Sequence, residues 1–181
     1  TTLSGVNTYT GTTTVSAGTL ALGVADAIAN TSAVVVDGAS AVFALGGFSD
    51  TVGAVSIGTA GGSITSSSGV LTGTSYTFSN TSGNAGVVSA KLAGTNVTLT
   101  QSGTGTTTLS GLNTYTGTTT VSAGSLVLAR GSAIASTGAV DLSVSGANLT
   151  LSASQTIGSL AGVTGSTVTL GSNTLTTGDA N

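Results

Sequence analysis

Few residues in this chain are able to do acid–base or ligand chemistry: Asp26, Asp37, Asp50, Asp141 and Asp179, with Lys91 and Arg130, and no His, Cys or Glu. Glycoside hydrolysis needs two carboxyl groups flanking one bond, and a stacked fold is able to gather Asp from distant positions. Plainer roles account for two of the five. Asp37 opens an Asp37-Gly38 turn, and Asp26 lies in a stretch that varies between two near-copies of one segment. Hydroxyls abound, but a nucleophilic Ser or Thr needs a base beside it. Ser89-Ala90-Lys91 suggests a Ser–Lys pair; a solvated lysine explains it better. No catalytic residue is expected.

Metal and cofactor signals are equally thin. Gly46-Gly47-Phe48-Ser49-Asp50 partly matches the calcium nonapeptide GGxGxDxUx. The third glycine is missing, the Asp comes one place early, and the pattern does not recur in tandem. The reading is of no metal and no cofactor. The Asn-x-Ser/Thr sequences at Asn30, Asn80, Asn96 and Asn148 follow from composition alone. Threonines at Thr12-Thr13-Thr14, Thr118-Thr119-Thr120, Thr98/Thr100 and Thr167/Thr169 suggest flat rows of the kind ice-binding β-helices present. Thr also combines β-propensity with wettability, which needs no ligand.

The frame for these residues is set by composition. Gly (29), Thr (37) and Ser (27) make up just over half of the 181 residues. A flexible linker would fit such a content, but 39% of the chain is hydrophobic and its mean hydropathy is +0.49. Disorder combines low hydrophobicity with high charge, the reverse of this. Apolar side chains are small and branched, proline is absent, and Glu is missing as a helix former. The class is all-β. A net charge of −3 with two cations gives nothing to collect phosphates, so no nucleic acid is expected as a partner. No apolar run reaches the length of a membrane helix.

One segment occurs twice. Residues 1–29 and 107–135 align at an offset of 106 with 22 of 29 positions identical. Alternation puts Val15 and Ala17 on one face, and Leu20 and Leu22 continue it beyond Gly18. Asn7-Thr8-Tyr9-Thr10-Gly11 reads as a corner, with Asn bonding its own backbone. Such a unit cannot bury its apolar face alone and must stack on near-copies.

Shorter runs follow in order. Ala33–Val36, Ala41–Leu45 and a bulged Thr51–Ile57 precede Ser63–Thr65 and Val70–Thr72, while Asn80–Gly86 reads as the most loop-like stretch. Residues 155–160 echo residues 50–55 at an offset of 105. The expectation is one continuous domain over residues 1–181, about 1.7 copies of a ~106-residue unit, in about eight coils of roughly 20–25 residues. Sandwich and antiparallel barrel are the alternatives; long near-identical segments favour parallel stacking. Thr1 starts in mid-pattern, without a basic leader or an initiator Met, which reads as a piece of a longer chain.

The paired motif LSGxNTYTGTTTVSAG, followed by T/S-L-x-L, resembles the passenger-associated β-strand repeat of bacterial autotransporters. Its residues here are Leu3, Gly5, Asn7, Tyr9, Gly11, Val15, Gly18, Leu20 and Leu22, and again Leu109, Gly111, Asn113, Tyr115, Gly117, Val121, Gly124, Leu126 and Leu128. The resemblance implies a right-handed parallel β-helix, secreted through a downstream outer-membrane barrel to the cell surface. It implies a structural role that assists export and folding, and adhesion to a surface receptor not yet identified. Its partners would be other coils of its own longer chain or neighbouring copies. A self-assembling extracellular filament is the competing reading.

Overall fold

The computed structural model describes residues 1–178, which form 22 strands and no helix. Strands pair in parallel with the strand one turn earlier and one turn later. Nine of them make the longest face, running from Thr2–Leu3 through Thr19–Leu22, Ala85–Val88, Thr106–Leu109 and Ser125–Leu128 to Thr167–Thr169. Eight make a second face, from Thr13–Val15 through Tyr76–Phe78, Leu99–Gln101 and Thr119–Val121 to Ser159–Gly162. From Thr2 to Thr167 the first face advances eight turns in 165 residues, about 21 per turn. At the ~4.8 Å spacing of hydrogen-bonded strands the eight turns span roughly 40 Å. The molecule is a β-solenoid.

A third side completes each turn. Asp50–Thr51, Val70–Thr72 and Lys91–Ala93 form one short sheet there, and Gln155–Ile157 pairs with Leu175–Thr177 in another. Between and before these sheets the backbone of both motif copies is irregular.

Stacking like on like explains the small, branched composition. One interior column runs Leu20, Phe43, Ile64, Val88, Leu109, Leu128 and Leu151, each directly above the last. Facing it are Val15, Val36, Ile57, Phe78, Gln101, Val121 and Leu142. Parallel strands covered on the inner face alternate in and out, so threonine and serine fill the outer positions. The interior is narrow and leaves space mainly for Val, Leu and Ile.

Three local expectations change. Thr51–Ile57 is not one bulged strand: Asp50–Thr51 lies on the third side, Val55–Ile57 on the eight-stranded face, and Gly53 turns the chain between them. Gly53 suits the bend because a Cβ there would sit 2.9 Å from the Thr31 carbonyl oxygen. The stretch Asn7–Gly11 is a whole side of the coil rather than a corner. Ala85–Val88 is a strand of the nine-stranded face, so the loop ends earlier than residue 86. Gly86 is buried there against Thr107, and no larger residue would fit.

Candidate functional site

On the third side the motif's Asn and Tyr turn inward in the second copy, as Asn113 and Tyr115, while Thr114 and Thr116 between and after them stay exposed. In the second copy Asn113 is buried and joins three successive coils. Its Oδ1 accepts the Leu92 N–H at 2.8 Å, and its Nδ2 donates to the Ala133 carbonyl at 2.8 Å. A side-chain amide thus replaces the peptide where the sheet is interrupted, and neither neighbour keeps an unpaired buried group. The expectation that this Asn bonds its own turn is corrected: at Asn113 the partners are other coils. At Asn7 both occur, since Nδ2 reaches Gly5 O at 2.9 Å and Ala27 O at 2.8 Å.

Two residues on, the tyrosine turns into the core. Tyr115 and Thr119 share a hydrogen bond at 2.8 Å, as Tyr9 and Thr13 do at 2.9 Å. Burial pushes the Tyr115 phenol upward. Its ring packs at 54° to that of Tyr76, with centroids 6.0 Å apart, a tilted arrangement that aromatic rings favour. The Tyr76 hydroxyl accepts the Gly73 N–H at 2.9 Å and lies 2.8 and 2.7 Å from the Leu71 and Ala93 carbonyls, to one of which it donates. Burial raises its pKa to about 12. Both tyrosines are clamps, not acids.

The remaining motif residues divide by side. Leu3, Leu20 and Leu22, with Leu109, Leu126 and Leu128, point inward from the nine-stranded face; Val15 and Val121 do so from the eight-stranded one. Gly18 and Gly124 adopt φ of 63° and 60° at the following corner, a region costly to any residue with a Cβ. Gly5, Gly11, Gly111 and Gly117 flank the Asn–Tyr side. The motif's variable position, Val6 or Leu112, faces solvent, which is why it tolerates exchange. Asp26 and Ser132 differ in chemistry yet share a bend, with φ of 50° and 62°.

Residues that chemistry might have used are placed as follows. Asp37 Oδ1 accepts the Ala60 N–H at 2.7 Å, one turn on. Asp50, from the glycine stretch, points into the core, where Oδ2 accepts the Ile28 N–H at 3.0 Å. Its pKa is raised to about 6, first by burial and further by the charge of Asp26. The stack therefore does bring two carboxyl groups close. Asp50 is only 1% exposed, so no substrate can reach it. Asp141 sits in register between Thr120 and Ala161 on the outer face, and Asp179 lies outside the described residues.

Ser89 and Lys91 share a surface groove with Arg130. On the outer eight-stranded face Thr77, Thr100 and Thr120 stack in direct succession, between Ser56 and Asp141; elsewhere threonines stack as the pairs Thr51/Thr72, Thr150/Thr169 and Thr156/Thr176. Thr13 and Thr119 instead hydrogen-bond to the motif tyrosines. Of the Asn-x-Ser/Thr positions, Asn80 is buried, its Nδ2 holding the Asn84 and Thr106 carbonyls; Asn30 and Asn96 are exposed and Asn148 is half-buried.

The core also holds a polar knot that no motif in the sequence announces. Thr107 Oγ1 donates to Asn80 Oδ1 at 2.8 Å, and Gln101 Nε2 donates to Gly103 O at 2.9 Å, leaving Gln101 Oε1 without a protein partner. The signal was a Gln in the column otherwise filled by Phe78 and Val121.

Fold and motif together define a parallel β-solenoid whose turns are spliced by a recurring Asn–Tyr side. The family model described as Passenger-associated-transport-repeat matches residues 1–22 and 99–128. The chain thus carries two such repeats, and they cover both copies of the motif. No curated protein and no solved structure matches the chain.

Proposed function

We propose that this chain is a non-enzymatic stalk segment of a secreted autotransporter passenger, standing at the bacterial cell surface and lengthened by further coils stacked on it. One observation supports this above others. In the second copy a Cβ at Gly111, Gly117 or Gly124 would come within 2.2, 2.4 and 2.3 Å of the Ala90, Val97 and Gly105 carbonyl oxygens of the coil before it. Gly5, Gly11 and Gly18, the same glycines in the first copy, meet nothing within 4 Å. Tyr9 is 40% exposed where Tyr115 is 1% exposed. Where a coil precedes it, the motif packs so closely on that coil's carbonyl groups that only glycine fits.

The mechanism is mechanical and kinetic. Each turn hydrogen-bonds only to its neighbours, so coils add one at a time onto a folded template. A chain emerging end first through an outer-membrane barrel can fold in this way. Low charge and the lack of disulfides ease its passage. Adhesion to a surface receptor would be carried by loops and grooves of the same stack.

The test is an extended chain with residues 74–106 placed ahead of Thr1. Stalk stacking predicts a higher melting temperature and loss of Tyr9 reactivity. An unchanged melting temperature, with the added coil cut at once by protease, overturns it. A second reading is end-to-end assembly into filaments through unpaired strand edges. Fibres that grow with protein concentration, and vanish when the covering coil is added, would favour that reading.

A further inference from the structure

The chain has two cations, Lys91 and Arg130, 39 positions apart in sequence, and both line one surface groove of about 230 Å³. The groove runs along the edge where the nine-stranded face turns into the third side. It is built from four consecutive turns, those following Gly62–Thr65, Ala85–Val88, Thr106–Leu109 and Ser125–Leu128. Stacking alone produces this meeting. No acidic residue lines the groove, although the chain as a whole is negative.

We infer that this groove binds an acidic polysaccharide lying along the solenoid axis. The two cations belong to turns two apart, about 10 Å along the stack. The groove runs over four turns, about 14 Å along the stack, longer than a single small anion, whereas a polymer with an acid on successive or alternate rings presents charges along that length. The hydroxyls of Ser67, Ser68 and Ser89 supply donors and acceptors for sugar hydroxyls between the charges. Leu112, 44% exposed at the motif's variable position, offers an apolar contact for a ring face. Nucleic acid is disfavoured, because two cations neutralise too few phosphates. In the first copy Val24 stands where Arg130 does, so the site belongs to the second repeat alone.

The experiment is titration of the full chain with a short oligogalacturonate at low salt, followed by NMR or calorimetry. Its fully methyl-esterified form and inorganic sulfate serve as the comparison ligands. The acidic oligomer should bind, weaken as salt rises, and lose about two- to fivefold in affinity with Lys91→Gln or Arg130→Gln. The double variant should lose binding while melting at the parental temperature, since both side chains reach solvent. Equal binding of the esterified oligomer overturns the charge reading. Sulfate binding as tightly as the oligomer overturns the polymer reading. Unaltered affinity in the double variant overturns the site.

Discussion

Asp50 and Gln155 hold the same place one repeat apart. Asp50 Oδ2 takes the Ile28 N–H at 3.0 Å, and Gln155 Oε1 takes the Ile134 N–H at 3.2 Å. Each stands where an irregular turn of the third side hands over to a strand, Asp50–Thr51 or Gln155–Ile157. One copy uses a carboxyl and the other an amide, and only the carboxyl can ionise. Each leaves one buried side-chain atom, Asp50 Oδ1 and Gln155 Nε2, without a partner.

That difference makes stability depend on pH. Burial raises the Asp50 pKa from 3.8 to about 6, so the folded chain takes up a proton that the unfolded chain releases. The stabilisation is complete below pH 3.8 and is lost as the pH rises through about 6. Thermal melts should therefore rise on acidification across this window, by an effect on the order of 3 kcal/mol at most. Asp50→Asn should flatten the dependence and stabilise the protein at neutral pH. Gln155→Glu should create a second dependence of the same sign.

The two motif asparagines should differ in weight. Asn113→Ala strands the Leu92 N–H and the Ala133 carbonyl in the interior, a loss of about 2–4 kcal/mol. Asn7→Ala removes bonds at a partly open edge and should cost about 1 kcal/mol. Denaturant unfolding of the two variants measures the ratio. Equal losses would mean that coupling between coils does not matter.

Glycine substitutions probe the same contrast. Gly18→Ala introduces positive-φ strain alone, about 1 kcal/mol. Gly124→Ala adds a clash with the Gly105 carbonyl oxygen, taking the loss to about 3 kcal/mol or abolishing folding. Melting temperatures of the pair decide it.

Tyrosine reactivity reads out the core directly. Tetranitromethane should modify Tyr9 in the native chain and spare Tyr76 and Tyr115, which are about 1% exposed. Mass spectrometry after partial nitration locates the sites. Native-state nitration of Tyr115 would show that its coil is not packed as described.

Much of this was legible early because a solenoid writes its period into its sequence. The 106-residue offset places Leu109 and Leu128 in the core by analogy with Leu3 and Leu22, and the 105-residue echo aligns Asp50 with Gln155. Turn chemistry was less readable. An Asn beside a Gly is equally at home in a local turn or as a splice between coils, and only the position of Leu92 and Ala133 separates the two. Thr51–Ile57 misled for a similar reason: small residues alternate through a Gly corner as smoothly as through a strand.

The sequence by itself determined the class of architecture, since hydrophobic alternation and near-identical repeats leave parallel stacking as the way to bury each coil's apolar face. It also determined which residues recur. Only the tertiary structure decided what each recurrence means, because burial here depends on the coil above and below. Tyr9 and Tyr115 have the same neighbours in sequence, yet one is open and the other enclosed. Lys91 and Arg130 are distant along the chain, and it is the turn of about 21 residues that lays them along one groove.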